Sequence, residues 1–154
     1  MILCIQRVSQ AQVTSNGVLC GQIEKGIVVL TGIAQTDTPE DVATLAEKTW
    51  GLRIFEDSEG KTNLSLADVH GEILCISQFT LLADCRRGRR PGFSNAARPE
   101  KANEFYQLFI EKLNHLGANV KTGIFQTDMK VNLTNDGPFT IILDSETFRQ
   151  PRRQ

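Results

Sequence analysis

The segment GIVVLTGI, residues 26–33, constrains the fold more than any other part of this chain. Ile27 to Leu30 are consecutive aliphatic side chains, β-branched at Ile27, Val28 and Val29, with Gly26 and Gly32 marking the ends. A strand sends successive side chains to opposite faces, so a strand made of this run has to be covered on both. A second run, EILCISQFTLL at 72–82, reads as another strongly apolar strand. Layers on both sides of a sheet demand a real core. A chain of 154 residues with 40% hydrophobic side chains can supply one in a single domain.

The rest of the chain can be read around these two strands. Residues 2–9 read as a strand, and 11–15 continue extended. Ser15-Asn16-Gly17 turns the chain and 18–24 return, a hairpin signal. Thr38 can cap a helix, with Pro39 in its first position and Glu40 and Asp41 at the positive end of its dipole. Val42, Leu45, Ala46 and Thr49 then recur at helical spacing, and the helix ends near Trp50-Gly51. LRIFEDSEGKTNLSL is a short strand and a polar loop, and a basic loop runs from 83 to 98. Pro99 opens a second helix with Ala102, Phe105, Tyr106, Phe109, Leu113 and Leu116 on one side and Gly117 as its stop. Val120 to Leu143 reads as strand, loop and hairpin, with the turn at Asn135-Asp136-Gly137-Pro138.

Strands cluster at both ends of the chain and do not alternate regularly with helices. The expected fold class is α+β: a mixed, mostly antiparallel twisted sheet or partial barrel of about six to seven strands with two main helices. It forms one domain over 1–145, followed by a polar, basic, mobile tail over 146–154.

Several kinds of chemistry are excluded by what the chain lacks. The cysteines (Cys4, Cys20, Cys75 and Cys85) show no CxxC spacing and read as reduced thiols. The N-terminus has neither a basic leader nor a long apolar stretch, so the expectation is a cytoplasmic protein without a membrane partner. His70 precedes a glycine in a turn, and His115 suits a helix C-terminus as a cation. No GxSxG, HExxH or Walker-type loop appears, so no metal, cofactor or Ser-His-Asp triad is expected.

Three features remain, each with two readings. Ser77, Gln78 and Thr80 follow abruptly on the buried run Ile73–Ile76. They either satisfy nearby backbone groups or border a cleft at a strand end. Net charge is −1, yet Arg86 to Arg98 holds five arginines and no acid. That loop is either a solvated face or a grip for phosphates, with Phe93 as a stacking surface. Gly137-Pro138 is either a turn with an edge proline or a rigid step that walls a pocket with main-chain atoms.

SQFTL at 77–81 and NDGPFT at 135–140, with IQRVSQAQV, GLRIFEDSEGKTNLSL, RRPGFSNAARPEKANEFYQLF and VKTGIFQTDMKVNLTNDGP collinear around them, closely resemble the D-aminoacyl-tRNA deacylases. These are also called D-tyrosyl-tRNA deacylases, and the resemblance spans nearly the whole chain. The intact Ser77-Gln78-Phe79-Thr80 argues against the animal-specific relatives that vary this motif. Two departures are Phe139, where a smaller β-branched residue is common, and Gly92, where serine is common.

The resemblance implies hydrolysis of the ester of D-aminoacyl-tRNA, and of glycyl-tRNA, with L-esters rejected. It implies a cytoplasmic homodimer with active sites at the subunit interface, tRNA as partner, and no DNA. Ser77, Gln78, Phe79 and Thr80 would form the catalytic segment. Gly137 and Pro138, joined by a cis bond and held by Arg7, would enter from the other subunit. Phe125 and Met129 would line the pocket, and Arg86, Arg87, Arg89 and Arg90 would contact the tRNA. A non-enzymatic RNA-binding module using the arginine loop is the alternative reading.

Overall fold

The computed structural model describes residues 1–150. A 14-residue strand, β1 (Ile2–Ser15), organises the sheet. Asn16 and Gly17 both take positive φ (51° and 77°), as a tight two-residue hairpin turn requires, and lead into β2 (Val18–Ile23). β3 (Gly26–Gly32) follows and is buried along almost its full length, as a doubly covered strand should be. Next come α1 (Pro39–Gly51), a small hairpin of β4 (Phe55–Glu56) and β5 (Thr62–Leu64), and β6 (Glu72–Ser77). α2 (Pro99–His115), β7 (Asn119–Thr122), β8 (Met129–Asp144) and a short α3 (Ser145–Arg149) complete the described chain. The main sheet has six strands in the order β2-β1-β3-β6-β7, with β8 on the other side of β1. β1 is antiparallel to its three neighbours, and β3, β6 and β7 run parallel. This is the mixed α+β sheet expected.

β1 is long enough to serve two cores because it changes face part-way. Leu3 and Ile5 pack with Val42 and Leu45 of α1 and Phe109 and Leu113 of α2. The ladder with β8 shifts register on either side of Val8, and beyond it Ala11 and Val13 point into a second cluster with Ile23, Val28, Leu74 and Ile76. Bulges of this kind bend a strand, and the curl here wraps the sheet towards a barrel. α1 begins with a full capping box between Thr38 and Asp41, and α2 ends at Gly117, whose φ of 104° suits a glycine.

Three expectations change. The strand expected over 72–82 ends at Ser77, and Phe79–Leu82 form a 3₁₀ turn. The parallel partner β3 itself runs out at Gly32, so β6 loses its neighbour there. The hairpin expected at 131–143 is absent, because the chain does not reverse and β8 pairs with β1 on both sides of residues 136–139. The mobile tail is, in its first part, the helix α3. Arg149 pairs with Asp41 at the start of α1, and Ser145 donates to buried Asp37 at 3.0 Å. Residues 151–154 of that tail lie outside the described residues. No described helix is long and apolar enough to cross a membrane.

Candidate active site

The end of β6 opens a cleft. The last rung of the parallel ladder pairs Ser77 with Thr31, and the Gln78 N–H still donates to the Thr31 carbonyl at 2.8 Å. The chain then enters the 3₁₀ turn, and among the described residues the N–H groups of Phe79 and Thr80 find no backbone acceptor. The opening donors of any helical turn are left free in this way. Ser77, Gln78 and Phe79 line a cleft of about 530 Å³, with Phe125 and Met129 on its far wall. That volume lies within the usual range for small-molecule sites. Phe79 is 53% exposed and meets Phe93 of the arginine loop edge-on, with 5.0 Å between ring centroids. Thr80 is exposed and hydrogen-bonded to the Gln78 amide. Burial pushes the pKa of Cys75, two residues before Ser77 in β6, up to about 12, so it supplies no thiolate.

Gly137 and Pro138 occupy a different place. Between the pairs Gln6↔Thr140 and Val8↔Asn135, β1 contributes one residue, Arg7, while β8 contributes four, 136–139. The excess is thrown outward as a loop, with Gly137 and Pro138 exposed at its tip and the peptide between them cis. Arg7 lies beneath it, buried. Its Nε donates to the Asp136 carbonyl at 3.0 Å and a terminal nitrogen donates to the Ile54 carbonyl at 2.6 Å. The guanidinium also sits 5.0 Å from the centroid of the Phe139 ring. Gly137 has φ +131°, and a Cβ there would stand 2.8 Å from an Arg7 nitrogen. Both constraints call for glycine.

The arginine loop is less uniform than its composition suggests. Asp84, at its start, takes Arg86 in a two-pronged pair at 2.8 and 2.6 Å, and that pairing draws the Asp84 carboxyl down to about 2. Arg87, Arg89 and Arg90 are exposed and form no ion pair among the described residues.

The structure therefore brings Ser77, Gln78, Phe79, Phe125 and Met129 to one cleft, and Arg7, Gly137 and Pro138 to one loop. It does not bring the two groups together within one chain. Arg7 is level with Ile27 and hence with Ile73, four residues short of Ser77 on a strand two places away. Strand spacings put the groups roughly 15 Å apart. Sequence reasoning missed Ala97, Pro99 and Ala102 on the cleft wall. It also missed the packing of Phe93 on Phe79. The first three are small residues at a helix entry and carry no chemical signal.

A family model described as D-Tyr-tRNA(Tyr) deacylase matches residues 4–144. The chain belongs to this family. It is 55% identical over 142 residues to a D-aminoacyl-tRNA deacylase of Fervidobacterium nodosum, covering 92% of this chain and 95% of that one. It is 51% identical to the enzyme of that name from Dictyoglomus turgidum, covering 97% and 96%. Among solved structures, the c-Myc DNA Unwinding Element Binding Protein superposes with a TM-score of 0.89 at 40% identity, covering 94% of this chain and 98% of that one. A probable eukaryotic D-amino acid tRNA deacylase shares the fold, with a TM-score of 0.78 at 17% identity over 92% of this chain and 97% of that one.

Proposed function

We propose that this protein hydrolyses the ester linking a D-amino acid, or glycine, to the terminal ribose of tRNA, releasing amino acid and tRNA in the cytoplasm and leaving L-esters intact. The observation that carries this reading is the intact Ser77–Thr80 segment, whose Ser77, Gln78 and Phe79 line the cleft, in a chain 55% identical to a D-aminoacyl-tRNA deacylase. Water attacks the ester carbonyl, and the developing oxyanion needs donors fixed in advance. The N–H groups of Phe79 and Thr80 are free to serve, and each such donor is worth roughly 3 kcal/mol. Thr80 is hydrogen-bonded to the Gln78 amide, which is not a base, so nothing beside it removes its proton. The hydroxyl then orients water, and the substrate's own ribose hydroxyl assists. Trapping of an acyl-threonine would overturn that assignment.

The chiral filter is the Gly137–Pro138 step of a second copy, entering the cleft as a wall of main-chain atoms. An L-side chain would run into it, a D-side chain points away, and glycine has nothing to exclude. Two features support assembly of a homodimer. Among the described residues β8 pairs with β1 alone, leaving its outer edge open. Leu30, Cys4 and Ile142 also form one row across β3, β1 and β8 on the face opposite the helices, with Ile142 59% exposed. Arg87, Arg89 and Arg90, with Arg86 tempered by Asp84, contact the phosphates of the acceptor end. Release of amino acid from a D-aminoacyl-tRNA, with the L-ester as control, tests the whole reading. Equal or faster cleavage of the L-ester would overturn it, and tRNA binding without cleavage would leave only an RNA-binding module.

A further inference from the structure

We infer that Asn135 is a positioning residue for the Gly137–Pro138 wall, its side-chain amide supplying the hydrogen-bond donor that the proline lacks. The inference rests on the proposed role of that wall. Opposite Arg7, β8 offers no regular ladder partner, because residues 136–139 are looped out and Pro138 has no N–H. A carbonyl left without a donor in a half-buried place is costly. The Arg7 carbonyl instead accepts from Asn135 Nδ2 at 3.0 Å. The same nitrogen donates to the Phe139 carbonyl, also at 3.0 Å. Each amide hydrogen thus has one acceptor, and the two acceptors stand on opposite sides of the loop.

Asn135 is itself oriented. Thr140 Oγ1 donates towards Asn135 Oδ1 at 3.5 Å and accepts from Gln6 Nε2 at 3.2 Å. The chain Gln6–Thr140–Asn135 crosses from β1 to β8 and returns to β1 at Arg7. It fastens the exit of the loop at Phe139, while the Arg7 side chain fastens its entry at Asp136. A four-residue excursion held at both ends cannot swing aside, and a steric filter needs that stiffness. Asn135 does not line the cleft, so its effect runs through the wall.

Asn135→Asp keeps the shape and removes both donors, turning oxygen against two carbonyls. Hydrogen exchange of the full protein should then speed up at least about tenfold in residues 136–141 and stay unchanged in β3. In the deacylation assay, the preference for the D-ester over the L-ester should fall about tenfold, while kcat/KM for the D-ester changes less than about threefold. Asn135→Ala, which adds no charge, should behave alike, and Asn135→Gln should restore part of the preference. A role confined to stability would lower the unfolding midpoint without moving the D/L ratio. Unchanged exchange in 136–141, or an unchanged D/L ratio, would overturn the inference. A wild-type protein that does not prefer the D-ester would overturn the proposed function instead, and the exchange measurement would still judge the clasp.

Discussion

The Ser77–Leu82 turn follows the last rung of the β3–β6 ladder, whereas the Gly137–Pro138 loop stands midway along β8, level with that ladder's start, and the two present different matter to a ligand. The first borders an open cleft with side chains, beside two N–H groups that find no backbone acceptor among the described residues. The second stands in solvent, offers main chain alone, and is stiffened from beneath by Arg7 and Asn135. A pocket made of side chains adapts by changing rotamers, whereas a clasped main chain does not. The difference suits a division of labour in which one region performs the chemistry and the other region of a second copy excludes the wrong hand.

Damage to each region separately should have the largest effect. Gly137→Ala and Gln78→Ala should each cost about 10²-fold or more in D-ester turnover or in chiral preference. After mixing, unfolding and refolding together, statistical dimers should recover about a quarter of wild-type activity, since half of the mixed dimers' sites are intact. No recovery would place both regions in the same chain's site. Arg7→Ala comes next. It leaves the Ile54 and Asp136 carbonyls without their donor and should lower unfolding free energy by about 3 kcal/mol in denaturant titration while relaxing rejection of L-esters. Gly137→Ala should cost less stability, about 1–2 kcal/mol, because the Arg7 nitrogen it meets is the end of a flexible side chain and can shift. Stability losses of equal size would make the loop structural rather than selective.

Charge removal at Arg87, Arg89 and Arg90 should weaken tRNA binding and flatten its salt dependence by roughly 0.7 in log–log slope for each arginine that grips a phosphate. Arg86→Ala should do less, because Asp84 already occupies that guanidinium. The smallest effect lies outside both regions. Arg149 holds the Asp41 carboxyl down at about 2, so the pair stabilises the fold fully above pH 4, and that contribution is lost as pH falls from about 4 towards 2. Arg149→Ala should lower the denaturation midpoint slightly at neutral pH and by much less near pH 2, where the Asp41 carboxyl is half protonated, leaving the D/L ratio alone.

Much of the fold was legible because its signals are local. The run at 26–33 demanded a doubly covered strand, Thr38-Pro39 a helix start, Asn16-Gly17 a tight turn, and Gly117 a stop. The segment 135–138 misled for a physical reason. Asp-Gly favours a reversal, but β1 continues past it on both sides, and twelve paired positions along β8 outweigh one turn preference. The tail misled similarly, since the partner that orders Arg149 is Asp41, 108 residues away.

What the sequence determined was the chemical inventory: two intact motifs, no triad, a glycine before a proline, and an asparagine two residues earlier. Only the tertiary structure decided what those residues do to one another. The register of β8 against β1 throws residues 136–139 outward, places Asn135 against two carbonyls and sets Arg7 under the loop. The same sheet keeps that loop away from Ser77–Thr80. The register arises from pairing between residues more than a hundred positions apart, and the separation from the ladders of β1 with β3 and of β3 with β6, where local sequence preference has no reach.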